Sequence, residues 1–107
     1  MDQKRTGQIE KKIARIKKVL WEIGPMRPGS LTEQFKDREN KAGAFWQISY
    51  TRHMQSRTDY IRREWVKTTQ KQIKEYKQFK LLIETWVALA IEHAKLTMKN
   101  EKSKAKK

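Results

Sequence analysis

The stretch AFWQISYTR, residues 44–52, decides how this chain is read. Trp46, Ile48 and Tyr50 alternate there with Gln47, Ser49 and Thr51. A period of two rich in aromatic and β-branched residues marks a half-buried strand. A polar break at His53–Ser56 follows, and then a second β-rich run containing Thr58, Tyr60 and Ile61. Together they predict a two-stranded hairpin over about residues 44–62. Its turn lacks an Asn-Gly signature, so a loop of about three to five residues is expected. A lone hairpin is marginal in water and must lie against a helix.

Helices are predicted on both sides. Upstream, Ile9, Ile13, Ile16, Leu20 and Ile23 recur at alternating intervals of four and three, the spacing of a coiled-coil seam, and Val19 widens the stripe. Gly24 and Pro25 end that helix, because Gly accepts a left-handed backbone and Pro cannot continue the helix. Residues 24–43 read as a connector holding both prolines, with GPMRPGS as a rigid turn and Ser30 as the cap of a short helical turn over Leu31–Phe35. Downstream, from about Arg63 to Met98, there is no Pro or Gly. Ile73, Tyr76, Phe79 and Ile83 share one face of the helix expected there, and Arg63, Lys67, Lys71 and Lys74 stack on the opposite one. The segment Leu81–Ile91 is apolar almost all round and must be covered on more than one side.

The fold class expected is therefore mostly α with a small β-hairpin, an α-ββ-α order in which the N-terminal helix packs antiparallel on a long C-terminal helix. Residues 1–98 are expected as a single helical domain, and residues 99–107 as a disordered basic tail.

Charge sets the partner class. The 107 residues include 26 Lys and Arg against 12 Asp and Glu, a net charge of +14. The excess is uneven: residues 1–18 carry +5, residues 52–80 carry +6 and residues 99–107 carry +4, whereas residues 19–51 are neutral and 81–98 carry −1. Such blocks repel themselves, a cost that an anionic partner relieves. No run approaches the ~20 apolar residues of a membrane span, and the start does not resemble a signal peptide. With no cysteine there is no disulfide, no thiolate nucleophile and no Cys-based zinc site. A reducing, cytoplasmic setting fits, nucleoid-associated if the partner is DNA.

The run from Ile13 to Leu96 resembles a family of small, uncharacterised bacterial and archaeal proteins, some encoded beside transposases. The resemblance is carried by the helix ending IGPM, the RPGSL connector, the strand FWQISYT, its partner DYIR and the segment IKEYKQFKLLIETWVALAIEHAKL. Typical members carry a glycine-rich knuckle of three cysteines between connector and strand. Here that stretch is QFKDRENKAGA, without cysteine, so thiolates cannot hold a metal in this chain. The resemblance implies a fold and a mobile-element setting rather than an activity.

The ridge of Arg63, Lys67, Lys71 and Lys74 is interrupted only by Glu64 and Glu75, and it can track phosphates spaced ~1.7 Å per charge along a duplex. Lys11, Arg15 and Lys18 on the first helix extend the cationic surface, as does the tail. On the hairpin, Arg52, His53, Arg57 and Arg62 accompany Tyr50 and Tyr60. A two-stranded ribbon can enter a major groove and exposed aromatics can stack on unpaired bases, or the arginines guard sheet edges and the aromatics are core. For Trp46, Ile48 and Tyr50 core is the favoured reading. Leu82, Trp86 and Leu89 are read as core or homodimer contact. His53 and His93 lack a second ligand at metal spacing. His93 beside Glu92, with Glu84 two turns earlier, has no nucleophile to serve. No catalytic residue, metal, cofactor or small-molecule substrate is expected. The function these features predict is that of a non-enzymatic nucleic-acid-binding accessory protein, on DNA or RNA. The alternative is a protein–protein adaptor or antitoxin-like partner of an acidic protein.

Overall fold

The computed structural model describes residues 2–105, with side chains from Gln3 to Glu101. The elements run α1 (Asp2–Glu22), β1 (Ser30–Asp37), β2 (Ala42–Arg52), β3 (Gln55–Ile61), a 3-10 turn at Arg63–Trp65 and α2 (Val66–Ala105). Helix and sheet both contribute, so the chain is mixed α and β. It divides into two compact units, one formed by residues 24–78 and one by residues 1–23 with 79–107. The reason lies in α2, whose 40 residues are too many for one small core to cover.

Residues 24–78 hold a three-stranded antiparallel sheet in the order β1-β2-β3. The expected hairpin is present as β2 and β3, with Trp46 opposite Ile61 and Ile48 opposite Asp59. The connector is corrected. Ser30 does not cap a helical turn but pairs with Ser49, and Leu31 pairs with Ile48, so residues 30–37 form a third strand. β2 offers two hydrogen-bonding edges, and satisfying the second outweighs the weak local preference of SLTEQFKD. The β2–β3 loop is corrected too: it has two residues, His53 and Met54, at φ of 52° and 64°. Positive φ at both positions is the hairpin turn whose twist matches the strands, here formed without glycine.

The core of this unit is Ile48, Ile61 and Ile73, with Leu31, Trp46 and Val66 packed against it. Gly29 permits it: at φ 135°, a Cβ there would lie 2.7 Å from Ile48 Cγ1. Arg27 pins the connector. Its backbone N–H donates to the Gln72 carbonyl of α2, and its guanidinium reaches Asp59 at 2.8 Å and lies 5.9 Å from the centre of the Tyr50 ring.

The second unit consists of α1 and the C-terminal part of α2. Ile9 and Ile16 are its buried residues, and Ile13, Leu20 and Ile23 of the same stripe are half-buried. α1 stops where Gly24 and Pro25 predict, after a last turn closed by Ile23 N–H to the Leu20 carbonyl. α2 runs on through Ala105, so residues 99–105, expected as a disordered tail, are helical. Ala, Glu and Lys there are good helix formers and nothing breaks the run. Lys106 and Lys107 lie outside the described residues.

Candidate nucleic-acid interface

The first turns of α2 place Arg63, Lys67, Lys71 and Lys74 on the side of the helix away from buried Thr69 and Ile73. All four are exposed. Among the described residues none of them enters an ion pair. The helix N-terminus adds its own positive end to Arg63 and Lys67.

The hairpin cations belong to the same unit. Arg52 and Arg57 are exposed near the tip, Arg52 donating from Nε to His53 Nε2 at 3.3 Å and Arg57 to Gln55 Oε1 at 3.1 Å. Arg57 stands opposite Tyr50 in the register. Arg62 is exposed where β3 turns into α2. Seven of the expected binding residues therefore sit on residues 24–78. Lys11, Arg15 and Lys18 are exposed on α1, in the other unit.

That other unit turns several of its charges toward itself. Arg5 makes a two-pronged pair with Glu92, at 3.1 Å from Nε and 2.9 Å from Nη2. The hydrogen bonds from Arg5 hold the Glu92 carboxyl below its ordinary range. His93 Nε2 lies 2.9 Å from Glu10, and Lys17 Nζ is 5.3 Å from the centre of the Trp86 ring. His93 and Glu92 thus each face a residue of α1 rather than a shared cleft. Leu82, Trp86 and Leu89 are half-buried, while Leu81, Val87, Ile91 and Met98 are exposed.

No protein-family model, curated protein or solved structure matches this chain. The site therefore stands on its own geometry. Among the described residues no cluster of three or more His, Asp or Glu is placed to hold a metal ion, and no helix is long and apolar enough to cross a membrane.

Sequence reasoning missed three residues here. Arg27 reads as part of a rigid turn, yet it is tied to Asp59. Phe45 and Trp65 carry no signal in the linear pattern, yet Phe45 lines a groove with Arg63 and Lys67, and Trp65 lines one with Arg27 and Arg62. Only the identity of the covered sheet face reveals them.

Proposed function

We propose that this chain is a non-enzymatic nucleic-acid-binding accessory protein that grips backbone phosphates. The observation that carries the reading is the ridge of Arg63, Lys67, Lys71 and Lys74, exposed and without acidic partners among the described residues. Two acids stand at i±3 or i±4 of this row, Glu64 three before Lys67 and Glu75 four after Lys71. Neither pairs with it, and a row with surplus charge on a rigid helix is held ready for a polyanion. Arg52, Arg57 and Arg62 extend the contact within the same unit, and Lys11, Arg15 and Lys18 supply a further patch on α1. Neither duplex nor single strand, DNA nor RNA, is required by phosphate contacts alone. A mobile-element setting and a cytoplasmic or nucleoid location belong to this reading, through the resemblance and the charge.

Two finer structural statements go with it. α1 runs antiparallel to the C-terminal half of α2, a reading supported by the contacts of Arg5 with Glu92 and Lys17 with Trp86. The chain self-associates as a homodimer through the 82–96 region, with Leu82, Trp86 and Leu89 as its contact residues and the exposed Val87 and Ile91 beside them.

Binding measured against salt tests the function. Log K should fall linearly with log salt, at about −0.9 per phosphate on duplex DNA or −0.7 on single strands. A pull-down treated with nuclease distinguishes the adaptor: a bound acidic protein that survives nuclease, with nucleic-acid affinity weaker than ~100 μM at physiological salt, replaces this reading.

A further inference from the structure

In the register of the sheet, Trp46, Ile48 and Ile61 point to the face that packs on Ile73 of α2. Their neighbours Phe45 and Tyr60 therefore point to the opposite face, among Ser, Thr and Gln side chains. Tyr60 pairs with Gln47, which places Phe45 at the diagonal position beside it, within reach of an aromatic ring. Tyr60 is 69% exposed and Trp65, one turn into the β3–α2 junction, is 53% exposed.

Tyr60 stands between two grooves. One, of about 460 Å³, has Phe45 and Tyr60 in its wall with Arg63 and Lys67. The other, of about 320 Å³, has Tyr60 and Trp65 in its wall with Arg62 and Arg27. In the second groove Arg27 is already paired with Asp59, which leaves Arg62 as the cation without an acid. In the first, Arg63 and Lys67 face one carboxylate, Glu33. Each groove thus has an aromatic residue and a cation in one wall, the pair that the base and the phosphate of an unpaired nucleotide can use at this edge of the sheet. A duplex keeps its bases stacked inside and cannot use the rings.

We infer that the β3–α2 junction is a stacking station for single-stranded nucleic acid, with bases on Tyr60 and its neighbours Phe45 and Trp65 and phosphates on Arg62, Arg63 and Lys67. This rests on the proposed nucleic-acid function and narrows it to unpaired strands.

The test titrates wild type, Tyr60→Ala, Tyr60→Phe and Lys67→Gln with labelled oligothymidylate, oligouridylate and a duplex of equal length, followed by anisotropy across salt. Tyr60 is exposed, so its variants keep the fold, and circular dichroism checks that they do. Tyr60→Ala should weaken single-strand binding by about tenfold with an unchanged salt slope, because a ring and no charge is lost. Duplex affinity should stay within about twofold, and Tyr60→Phe should bind like wild type. If Tyr60→Ala leaves single-strand binding unchanged, or weakens both substrates equally, while Lys67→Gln weakens both, the stacking station is overturned and phosphate binding stands. If wild type binds none of the three, both readings fall together.

Discussion

The two compact units share α2 yet use their charges and apolar side chains in opposite ways. Residues 1–23 with 79–107 engage Arg5, Lys17, Glu10 and Glu92 in surface contacts between α1 and α2, and leave aliphatic side chains such as Val87 and Ile91 exposed. Residues 24–78 enclose three isoleucines, and leave cations and the aromatic rings of Tyr60 and Trp65 exposed. An exposed aliphatic stripe suits another apolar surface, whereas rings beside unpaired cations suit a charged, stacked ligand. Under the proposed function, that contrast would divide the work: self-association to one unit and ligand contact to the other.

The largest test of that contrast compares two isoleucines that are both 0% exposed. Ile48 sits in the centre of a sheet, ringed by Ile61, Ile73, Leu31 and Trp46, where strands cannot shift to close a void. Ile48→Ala should cost about 4 kcal/mol in urea unfolding. Ile9 lies on a helix that can slide to refill the space, so Ile9→Ala should cost about 2 kcal/mol. Equal losses would mean that the two cores are alike in rigidity.

The next effect concerns binding. Replacing Lys67, Lys71 and Lys74 with Gln should lower the salt slope by about 0.9 per lysine on duplex DNA. The matching triple change at Lys11, Arg15 and Lys18 should lower it less, measured on the same oligonucleotides. A larger loss from α1 would reverse the assignment of the two units.

Smaller still is the hairpin tip. His53 and Met54 hold positive φ without glycine, and the left-handed region disfavours a side chain such as that of Met. Changing the pair to Asn-Gly should raise stability by about 1 kcal/mol, read as a higher urea midpoint with an unchanged slope. Oligonucleotide affinity should be unaffected, since Arg52 and Arg57 are kept.

The smallest effect is a pH dependence confined to the helical unit. Because Arg5 lowers the Glu92 pKa in the folded state, the pair contributes stability above the ordinary glutamate range. That contribution is lost as pH falls through the depressed folded value. Glu92→Gln should therefore flatten the acid limb of the unfolding midpoint slightly and leave neutral binding unchanged. The same flattening from Asp59→Asn, which frees Arg27 in the other unit, would show that the effect is not specific to Arg5 and Glu92.

Much of this architecture was legible in the residues. The stripe from Ile9 to Ile23 and the Gly24–Pro25 stop define α1, and the alternation from Trp46 to Tyr50 defines β2. The row at Arg63, Lys67, Lys71 and Lys74 needs only helical periodicity to be found. β1 was not legible, because Leu31 and Phe35 are four apart and read as one side of a helical turn. Only the open edge of β2 makes those residues a strand. The tight tip was hidden because His-Met carries no turn signature. Phe45, Tyr60 and Trp65 as a group depend on which sheet face is covered, a fact set by residues elsewhere in the chain.

The continuity of α2 also shapes how the protein should melt. Thirteen of its residues, Val66–Gln78, belong to the sheet unit, and the 27 residues Phe79–Ala105 belong to the helical one. A helix of about 12–15 residues is marginal in water, so the first portion cannot outlive the sheet that covers it. The second portion is long enough to keep partial helix after its own cover is lost. Heating should thus extinguish the Trp46 environment in one cooperative step while ellipticity at 222 nm decays over a broader range. In a calorimeter the van't Hoff enthalpy would then fall short of the measured heat, marking a molecule whose two halves lose order on different terms.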